Sequence, residues 1–193
     1  MPILVWPRSA CLDFFTTAIR PWSAEQVMPA PVWRERSTVE DDPQWQQPIP
    51  YVVLLRAGQV WAYRRRGGDG RLDGRASVGV GGHVETIDAA HHRDAPATAT
   101  TLAILLAAAH REVAEELAET PQLVIQPRAW IHEHGSAIGQ VHIGLVCSAE
   151  WPRTEPPQVR RGERLYGLGF CAPQSLPEHC EVWSHLAVQA LQL

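Results

Sequence analysis

The sequence has few cysteines and places none of them in closely spaced pairs. The four, at positions 11, 147, 171 and 180, show no CxxC spacing. Such scatter argues against a zinc cluster or a disulfide framework. We therefore expect reduced, mostly buried thiols, with a Cys171–Cys180 bridge as the disfavoured alternative.

The chain also lacks the marks of membrane and nucleic-acid-binding proteins. No apolar stretch approaches the length of a transmembrane helix, and the apolar residues 2–6 lack the basic region of a signal peptide. With 17 basic and 21 acidic residues, the formal net charge is -4, which gives no basic footprint for a nucleic-acid polymer or an anionic membrane. We expect a cytoplasmic protein whose partner is a small molecule.

Proline and tryptophan divide the chain into two parts. Before residue 49, frequent prolines interrupt regular structure, and the tryptophans between them favour packing on the rest of the protein. From Ile49 onward, short apolar runs alternate with turn residues, so we place the start of the core there. We predict an N-terminal extension over residues 1–48, with a short helix within 9–19, packed on a domain over 49–193.

Periodicity within the second part predicts a sheet and two helices. The predicted strands cover residues 51–55, 60–63, 76–80, 123–125, 130–131, 141–146 and 165–170. Turns or loops are expected at 57–59, 67–70, 87–101 and 135–139. One helix is expected from about residue 101 to 119, capped by Thr100 or Thr101 and ended by Pro121, and a last helix follows Ser175. This order predicts a mixed sheet sandwiched by helices.

Two short segments carry most of the recognisable chemistry. Residues 81–85 read Gly-Gly-His-Val-Glu, and residues 111–117 read Arg-Glu-Val-Ala-Glu-Glu-Leu. On a helix, Glu112 lies one turn before Glu115 and Glu116, so all three carboxylates project from one side. Such a cluster suits Mg²⁺ or Mn²⁺, either of which bridges phosphate oxygens and activates water. The alternative, a solvated helix face, leaves the glycine pair and the strand before it unexplained.

These two segments together resemble the Nudix box, the signature of enzymes that hydrolyse a diphosphate linked to another group. The resemblance runs from about residue 50 to the C-terminus and implies an α/β fold, a Nudix α/β/α sandwich with a mixed β-sheet and the Nudix-box helix. Gly82 falls on the first glycine of the box. The arginine and the three metal-binding glutamates of the family fall on Arg111, Glu112, Glu115 and Glu116. The family also implies that one of these glutamates, or an acid from a loop, is the catalytic base.

The wider pattern resembles a bacterial subgroup described as Nudix phosphoesterase-like, which implies no substrate. Residues 49–53, 63–65, 78–83 and 141–144 carry this second likeness.

Departures from the box concern its connection to the helix. The glutamate expected after Gly82 is replaced by Asp88, which is shorter, and the stretch from Asp88 to Arg111 is roughly fifteen residues longer than in the family. Residues 118–119 also lack the usual glycine and apolar residue. We expect the shorter side chain to weaken the supporting pair with Arg111, with Glu85 as its substitute.

Further candidates for the site rest on single residues. Gly81 and Gly82 would bring their backbone close to ligand, and His83 would contact phosphate or make a structural hydrogen bond. Arg64, in a run of three arginines, is a candidate for phosphate binding. Glu163 is our choice for a further metal ligand, with Glu133, Glu150 and Glu155 as rivals. A zinc site formed by His132, His134 and His142 is a disfavoured alternative.

The residues favour a Mg²⁺- or Mn²⁺-dependent hydrolase of a diphosphate in a nucleotide-derived small molecule. A second hypothesis is a nucleotide sensor of the same fold, supported by Asp88 and by the long insertion. A third is an isomerase of an isoprenoid diphosphate, which would need Cys147 or Cys171 at the site. A homodimer joined through the tryptophan-rich extension is also expected, while substrate identity is not encoded in the fold.

Overall fold

The computed structural model describes residues 1–67, 73–90 and 97–193, and the side chains of 97–100 lie outside the description. The four helices of the described residues are α1 (Arg36–Val39), α2 (Ala97–Glu116), α3 (Ala137–Val141) and α4 (Val182–Ala190). Their strands are β1 (Pro2–Pro7), β2 (Ile19–Pro21), β3 (Val32–Glu35), β4 (Trp45–Arg56), β5 (Gln59–Arg65), β6 (Ala76–Ser77), β7 (Gly79–Val80), β8 (Leu117–Ala118), β9 (Gln126–Ile131), β10 (His142–Glu150), β11 (Gln158–Val159) and β12 (Leu165–Cys171).

One large mixed sheet organises the described residues. Strands β12, β5, β4, β10, β9 and β2 lie side by side in that order. The β4–β10 pair is parallel and the other pairs in this row are antiparallel. The turn between β4 and β5 consists of Ala57 and Gly58, both with positive φ, as expected for a two-residue hairpin.

Helices cover both faces of the sheet. Because side chains alternate along a strand, Val52 and Leu54 of β4 face one side, where they share a core with the buried residues of α2. Tyr51 and Val53 face the other side and share a core with α4. The predicted α/β/α sandwich with a mixed sheet is therefore confirmed.

Strand β1 is part of the core. Its four central residues, 3–6, are at most 1% exposed, and it pairs with β3 and with the start of β4. The interpretation that the core begins at Ile49 is therefore wrong. A 3₁₀ helix over Arg8–Phe15 stands where a short helix was expected. The division of the chain at residue 48 stays a prediction.

Helix α2 begins and ends earlier than its sequence pattern indicated. Thr101 is buried within the helix and does not cap it. The helix ends at Glu116 because the next two residues form β8 and pair with β11. The guanidinium of Arg160 also donates hydrogen bonds to the carbonyl oxygens of Ala114 and Leu117, which satisfies the end of the helix.

Other differences concern short segments. Residues 123–125 are not a strand, and the turn between β9 and β10 contains α3, which Ser136 caps by accepting a hydrogen bond from Gly139 N. Ser175 ends a 3₁₀ turn and does not cap α4. Within the predicted 87–101 loop, residues 91–96 lie outside the described residues, as does most of the predicted 67–70 loop. No helix in the described part of the chain is long and apolar enough to cross a membrane.

Candidate functional site

Arg111 connects the end of α2 to the segment that follows the glycine pair. Its Nε and Nη2 donate to the two carboxylate oxygens of Asp88, at 2.9 and 3.0 Å. Asp88 is almost fully buried and also accepts a hydrogen bond from the backbone N–H of Glu85, at 2.8 Å. The expectation that Asp88 is too short for this pair, with Glu85 as substitute, is therefore wrong.

The remaining donors of Arg111 bind the glutamates and the loop. Nη1 lies 2.8 Å from Glu112 Oε1 and 3.0 Å from Glu115 Oε2, and Nη2 donates to the carbonyl oxygen of His83 at 2.8 Å. Burial would lower the pKa of Arg111, but hydrogen bonds and the charges of Asp88 and Glu112 raise it overall. Arg111 is thus a permanent cation that holds the loop against the helix.

The backbone of Gly82 passes directly beside a carboxylate. A β-carbon built on Gly82 would lie 2.5 Å from Glu112 Oε1, and one on Gly81 would collide with the carbonyl oxygen of Pro50. Neither position has room for a side chain. The glycine pair therefore lets the chain approach the first helix glutamate closely.

The side chains of Glu112, Glu115 and Glu116 form what we call the carboxylate cluster. Among the three, Glu116 has the least favourable environment for a negative charge. Its Oε2 is buried and has no hydrogen-bond partner in the described ranges of the chain. Burial raises the pKa of Glu116 to about 8, and the charges of Glu112, Glu163 and Glu115 add to the rise, although Arg65 opposes it. The pKa of Glu112 is also raised, mainly by burial.

Glu163 lies in the loop after β11, which backbone hydrogen bonds connect to the end of α2. The backbone N–H of Arg160 donates to the carbonyl oxygen of Glu116 at 2.8 Å, and Glu163 N donates to Arg160 O at 3.1 Å. The negative charge of Glu163 acts on Glu116, as its effect on the pKa of Glu116 indicates. Among its rivals, Glu133 instead binds Ser136 near α3.

The donor set of the cluster fits a divalent cation. In the described ranges, no three His, Cys, Asp or Glu side chains are gathered closely enough to hold a metal, and Arg111 forms ion pairs with Glu112 and Glu115. The buried, unpartnered oxygen of Glu116 nevertheless needs a cation or a proton. Carboxylate oxygens are the ligands that Mg²⁺ and Mn²⁺ prefer.

Of the adjacent arginines, Arg65 lies on the side of the cluster. It donates to Tyr63 Oη at 2.9 Å, and its charge and that of Glu116 act on each other. Arg64 points to the other face and donates to the carbonyl oxygens of Gly74 and Glu178. The sequence run did not distinguish the two, since only the strand register decides which faces α2.

The four histidines considered as site or zinc candidates form two separate pairs. His83 Nε2 lies 2.8 Å from Gln47 Oε1 and 3.4 Å from His142 Nε2. Burial, with the nearby charges of Arg36 and His142, lowers the pKa of His83 to about 3, so its imidazole is neutral. His132 instead packs against His134, with ring centroids 4.3 Å apart. The third ligand of the zinc alternative, His142, is therefore engaged elsewhere.

The cysteines offer no reactive thiol to the site. All four are free, and Cys147 lies fully buried on β10, where burial raises its pKa to about 12. The pKa of Cys171 is raised as well, again chiefly by burial. Neither thiol suits the isomerase alternative, which needs an ionisable cysteine.

A cavity of about 510 Å³ opens beside the glycine pair. The glycine pair, His83 and Arg65 border it on the side of the carboxylate cluster, and Tyr51 and residues 181–183 border it on the side of α4. We call it the Glu181 cavity. The residues that line the cavity come from distant parts of the chain, and the sequence pattern therefore did not reveal it.

Known proteins resemble this chain in sequence and in fold. Protein YmaB of Bacillus subtilis is 30% identical over 165 residues, which cover 81% of this chain and 76% of that protein. The crystal structure of Tm1382, assigned provisionally as a Nudix hydrolase, is 22% identical, with a TM-score of 0.73 over 99% of this chain and 98% of that one. No family model matches the chain.

Two further structures share the fold. A MutT NUDIX hydrolase from Burkholderia pseudomallei is 20% identical, with a TM-score of 0.53 over 76% of this chain and 98% of that one. DR0079 from Deinococcus radiodurans is 18% identical, with a TM-score of 0.54 over 89% and 98% of the two chains.

Proposed function

The chain belongs to the same family as protein YmaB and has the fold of Nudix hydrolases, and from that premise we propose that it is a Mg²⁺- or Mn²⁺-dependent pyrophosphohydrolase. Water attacks a phosphorus atom of a diphosphate within a nucleotide-derived small molecule. The observation that carries the proposal is Glu116, whose buried Oε2 has no partner among the described residues, and whose pKa is raised to about 8 by burial first and then by the charges of the neighbouring carboxylates. Folding alone gains nothing from such an arrangement, because an unpaired buried acceptor is destabilising.

The carboxylate cluster and Glu163 are the residues that would hold the cation. When bound there, a divalent cation supplies charge neutralisation at the phosphate and a more acidic water. One of the cluster glutamates, or Glu163, accepts the proton of the attacking water. Arg111 keeps Glu112 and Glu115 in place through its contacts at 2.8 and 3.0 Å.

Arg65 takes the role that the sequence suggested for Arg64. It borders both the Glu181 cavity and the carboxylate cluster, so a substrate that spans the two would place its phosphates beside this guanidinium. A guanidinium pairs with phosphate oxygens through fixed donors. The backbone of Gly81 and Gly82 forms the opposite border, and His83 contributes a neutral ring there.

The pairing of Arg111 with Asp88 weakens the sensor hypothesis. That hypothesis rested on the shorter aspartate and on the long insertion before α2. The aspartate makes both hydrogen bonds to Arg111, so the geometry that supports the glutamates is intact. Cytoplasmic location and a homodimer stay predictions.

The test is product release across a panel of diphosphate compounds. Nucleoside di- and triphosphates, dinucleoside polyphosphates and nucleotide sugars are incubated with Mg²⁺ or Mn²⁺ and with wild type, Glu116→Gln or Glu119→Gln. Glu119 is the matched control, because its side chain is 88% exposed beyond the end of α2. We expect one class to be hydrolysed by wild type and the control but not by Glu116→Gln. Nucleotide binding without any product would favour the sensor instead.

A further inference from the structure

The Glu181 cavity has a size suited to the non-phosphate part of a nucleotide. Its volume of about 510 Å³ lies within the range of small-molecule sites. Gly82, whose backbone lies beside Glu112, and Arg65 form one border of the cavity, and the other border reaches the start of α4. A substrate whose diphosphate lies at the cluster would therefore extend into this cavity.

A buried carboxylate, held rigidly through one of its oxygens, borders the cavity. Glu181 is 9% exposed, and its Oε1 accepts hydrogen bonds from Tyr51 Oη at 2.8 Å and from Ser77 Oγ at 2.5 Å. Ser184 bonds to Tyr51 Oη at 2.9 Å, and the backbone N–H of Glu181 donates to Ala76 O at 2.9 Å. Such a network fixes the rotamer of the carboxylate before any ligand arrives.

The second oxygen of Glu181 is available to a ligand. Within the described residues, Oε2 has no protein hydrogen-bond partner, and it is not among the oxygens sealed away from solvent. A carboxylate oxygen only accepts hydrogen bonds, so the complementary ligand group is a donor. The cavity therefore selects for N–H or O–H groups at this end.

The charges around the cavity favour a neutral donor over a cation. Its described lining includes three arginines, at 36, 65 and 75, and three glutamates, at 40, 133 and 181. These charges balance, so no surplus of negative charge is left to hold an ammonium group. Tyr51 and Trp183, with ring centroids 5.8 Å apart, add aromatic surface.

We propose that the Glu181 cavity binds the base of a nucleotide substrate, with Glu181 Oε2 accepting N–H donors from the edge of a guanine-type base. Guanine presents an imino and an amino donor side by side, whereas adenine and cytosine place an acceptor beside their amino group. The inference rests on the proposed function and assigns the substrate class of the same site.

The experiment compares ligands that differ by one amino group. Guanosine and inosine diphosphate compounds are compared as substrates, and GMP and IMP as ligands in calorimetry without metal. Wild type, Glu181→Gln and Glu178→Gln are measured. In Glu181→Gln, the amide oxygen can still accept from Tyr51 and Ser77, but the amide nitrogen places a donor where Oε2 was. Glu178 is the matched control, because it is exposed in the segment before α4.

Wild type and the control are expected to prefer the guanine compound by about 10- to 100-fold, the effect of one hydrogen bond to a charged group. In Glu181→Gln this preference is expected to disappear through a higher KM or Kd. Equal use of both compounds by wild type, or an unchanged preference in Glu181→Gln, would overturn the inference while hydrolysis still supported the proposed function. Discrimination between GMP and IMP without any hydrolysis would support the inference and overturn the proposed function.

Discussion

The carboxylate cluster and the Glu181 cavity are both polar sites at the sheet, yet their hydrogen bonding differs. In the cluster, Glu116 Oε2 is buried without a partner in the part of the chain that the structure describes, and mutual repulsion among the acids adds to the rise in its pKa that burial causes. In the cavity, Tyr51 and Ser77 both donate to Glu181. The carboxylate cluster therefore needs an added positive charge. In the cavity, the carboxylate of Glu181 already has hydrogen-bond partners for one of its two oxygens. This difference indicates chemistry at the cluster and recognition at the cavity.

The largest effect is expected from Glu116→Gln. The amide is nearly isosteric but removes the negative charge that a cation would require, so turnover should fall by about 10³-fold. Its thermal stability should be unchanged or slightly higher than that of wild type, because the repulsion with Glu112 is relieved. Steady-state kinetics and thermal unfolding measure the two effects. Wild-type turnover in this variant would show that Glu116 takes no part in hydrolysis.

Asp88→Asn should affect stability most. The salt bridge with Arg111 is nearly buried on the aspartate side, and removing one charge from such a pair costs about 3 kcal/mol in the free energy of unfolding. Denaturant unfolding gives the value. The control is Glu40→Gln, because the Arg36–Glu40 pair is exposed and is expected to contribute less than about 1 kcal/mol. Equal losses in the two variants would show that Arg111 does not depend on Asp88.

Acidification should destabilise the protein partly through His83, at the border of the cavity. The pKa of His83 is about 3 in the folded protein and 6.5 in a free chain, so below pH 6.5 the unfolded state binds the additional proton. The contribution of neutral His83 to the free energy of unfolding is therefore fully present above pH 6.5. It decreases as the pH is lowered and is smaller by about 2 kcal/mol at pH 5. His83→Gln should lose less stability between pH 7.5 and 5 than wild type or the exposed control His179→Gln. The same loss in all three would contradict a half-buried, neutral His83.

Arg65→Gln and Arg64→Gln should affect kcat/KM differently, because the two side chains lie on opposite faces of β5. Arg65 lies beside Glu116 and borders the cavity, so its loss should lower kcat/KM by roughly tenfold or more, the effect of one charged hydrogen bond to phosphate. Arg64 binds backbone oxygens on the other face, and its loss should leave kcat/KM within about twofold. A larger loss in Arg64→Gln would reverse the assignment.

The smallest effect is expected from Tyr51→Phe in the cavity. It removes the hydroxyl that bonds to Glu181, Ser77 and Ser184, which should lower the free energy of unfolding by about 1–2 kcal/mol. Denaturant unfolding measures this loss. Turnover at saturating substrate should stay close to wild type, and a large fall in kcat would show that the cavity takes part in the chemistry.

The contrast between the sites also explains what the sequence could predict. Glu112, Glu115 and Glu116 lie within five consecutive residues, so helical periodicity alone places their carboxylates together. Asp88 was identified as the partner of Arg111 in the motif, but its reach depended on the 3₁₀ turn over Thr86–Ala89, which no periodicity shows. The choice between Arg64 and Arg65 likewise depended on strand register.

The cavity, by contrast, was not predictable. Tyr51, Ser77 and Glu181 are far apart in the chain, and their hydrogen bonds exist only once β4, β6 and the start of α4 are assembled. Strand β1 was missed for a related reason. Frequent prolines placed its apolar residues in an N-terminal extension, and only its pairing with β3 and β4 shows that it belongs to the core.

The most direct test of the division between chemistry and recognition is to measure kcat and KM for Glu116→Gln and Glu181→Gln side by side on the preferred nucleotide. Glu116→Gln should lower kcat by about 10³-fold with KM within about threefold of wild type, because it acts on the reacting phosphate. Glu181→Gln should raise KM by about tenfold or more with kcat within about threefold, because it acts on binding of the base. If both variants changed the same parameter, or if Glu116→Gln kept the wild-type kcat, the division would be wrong.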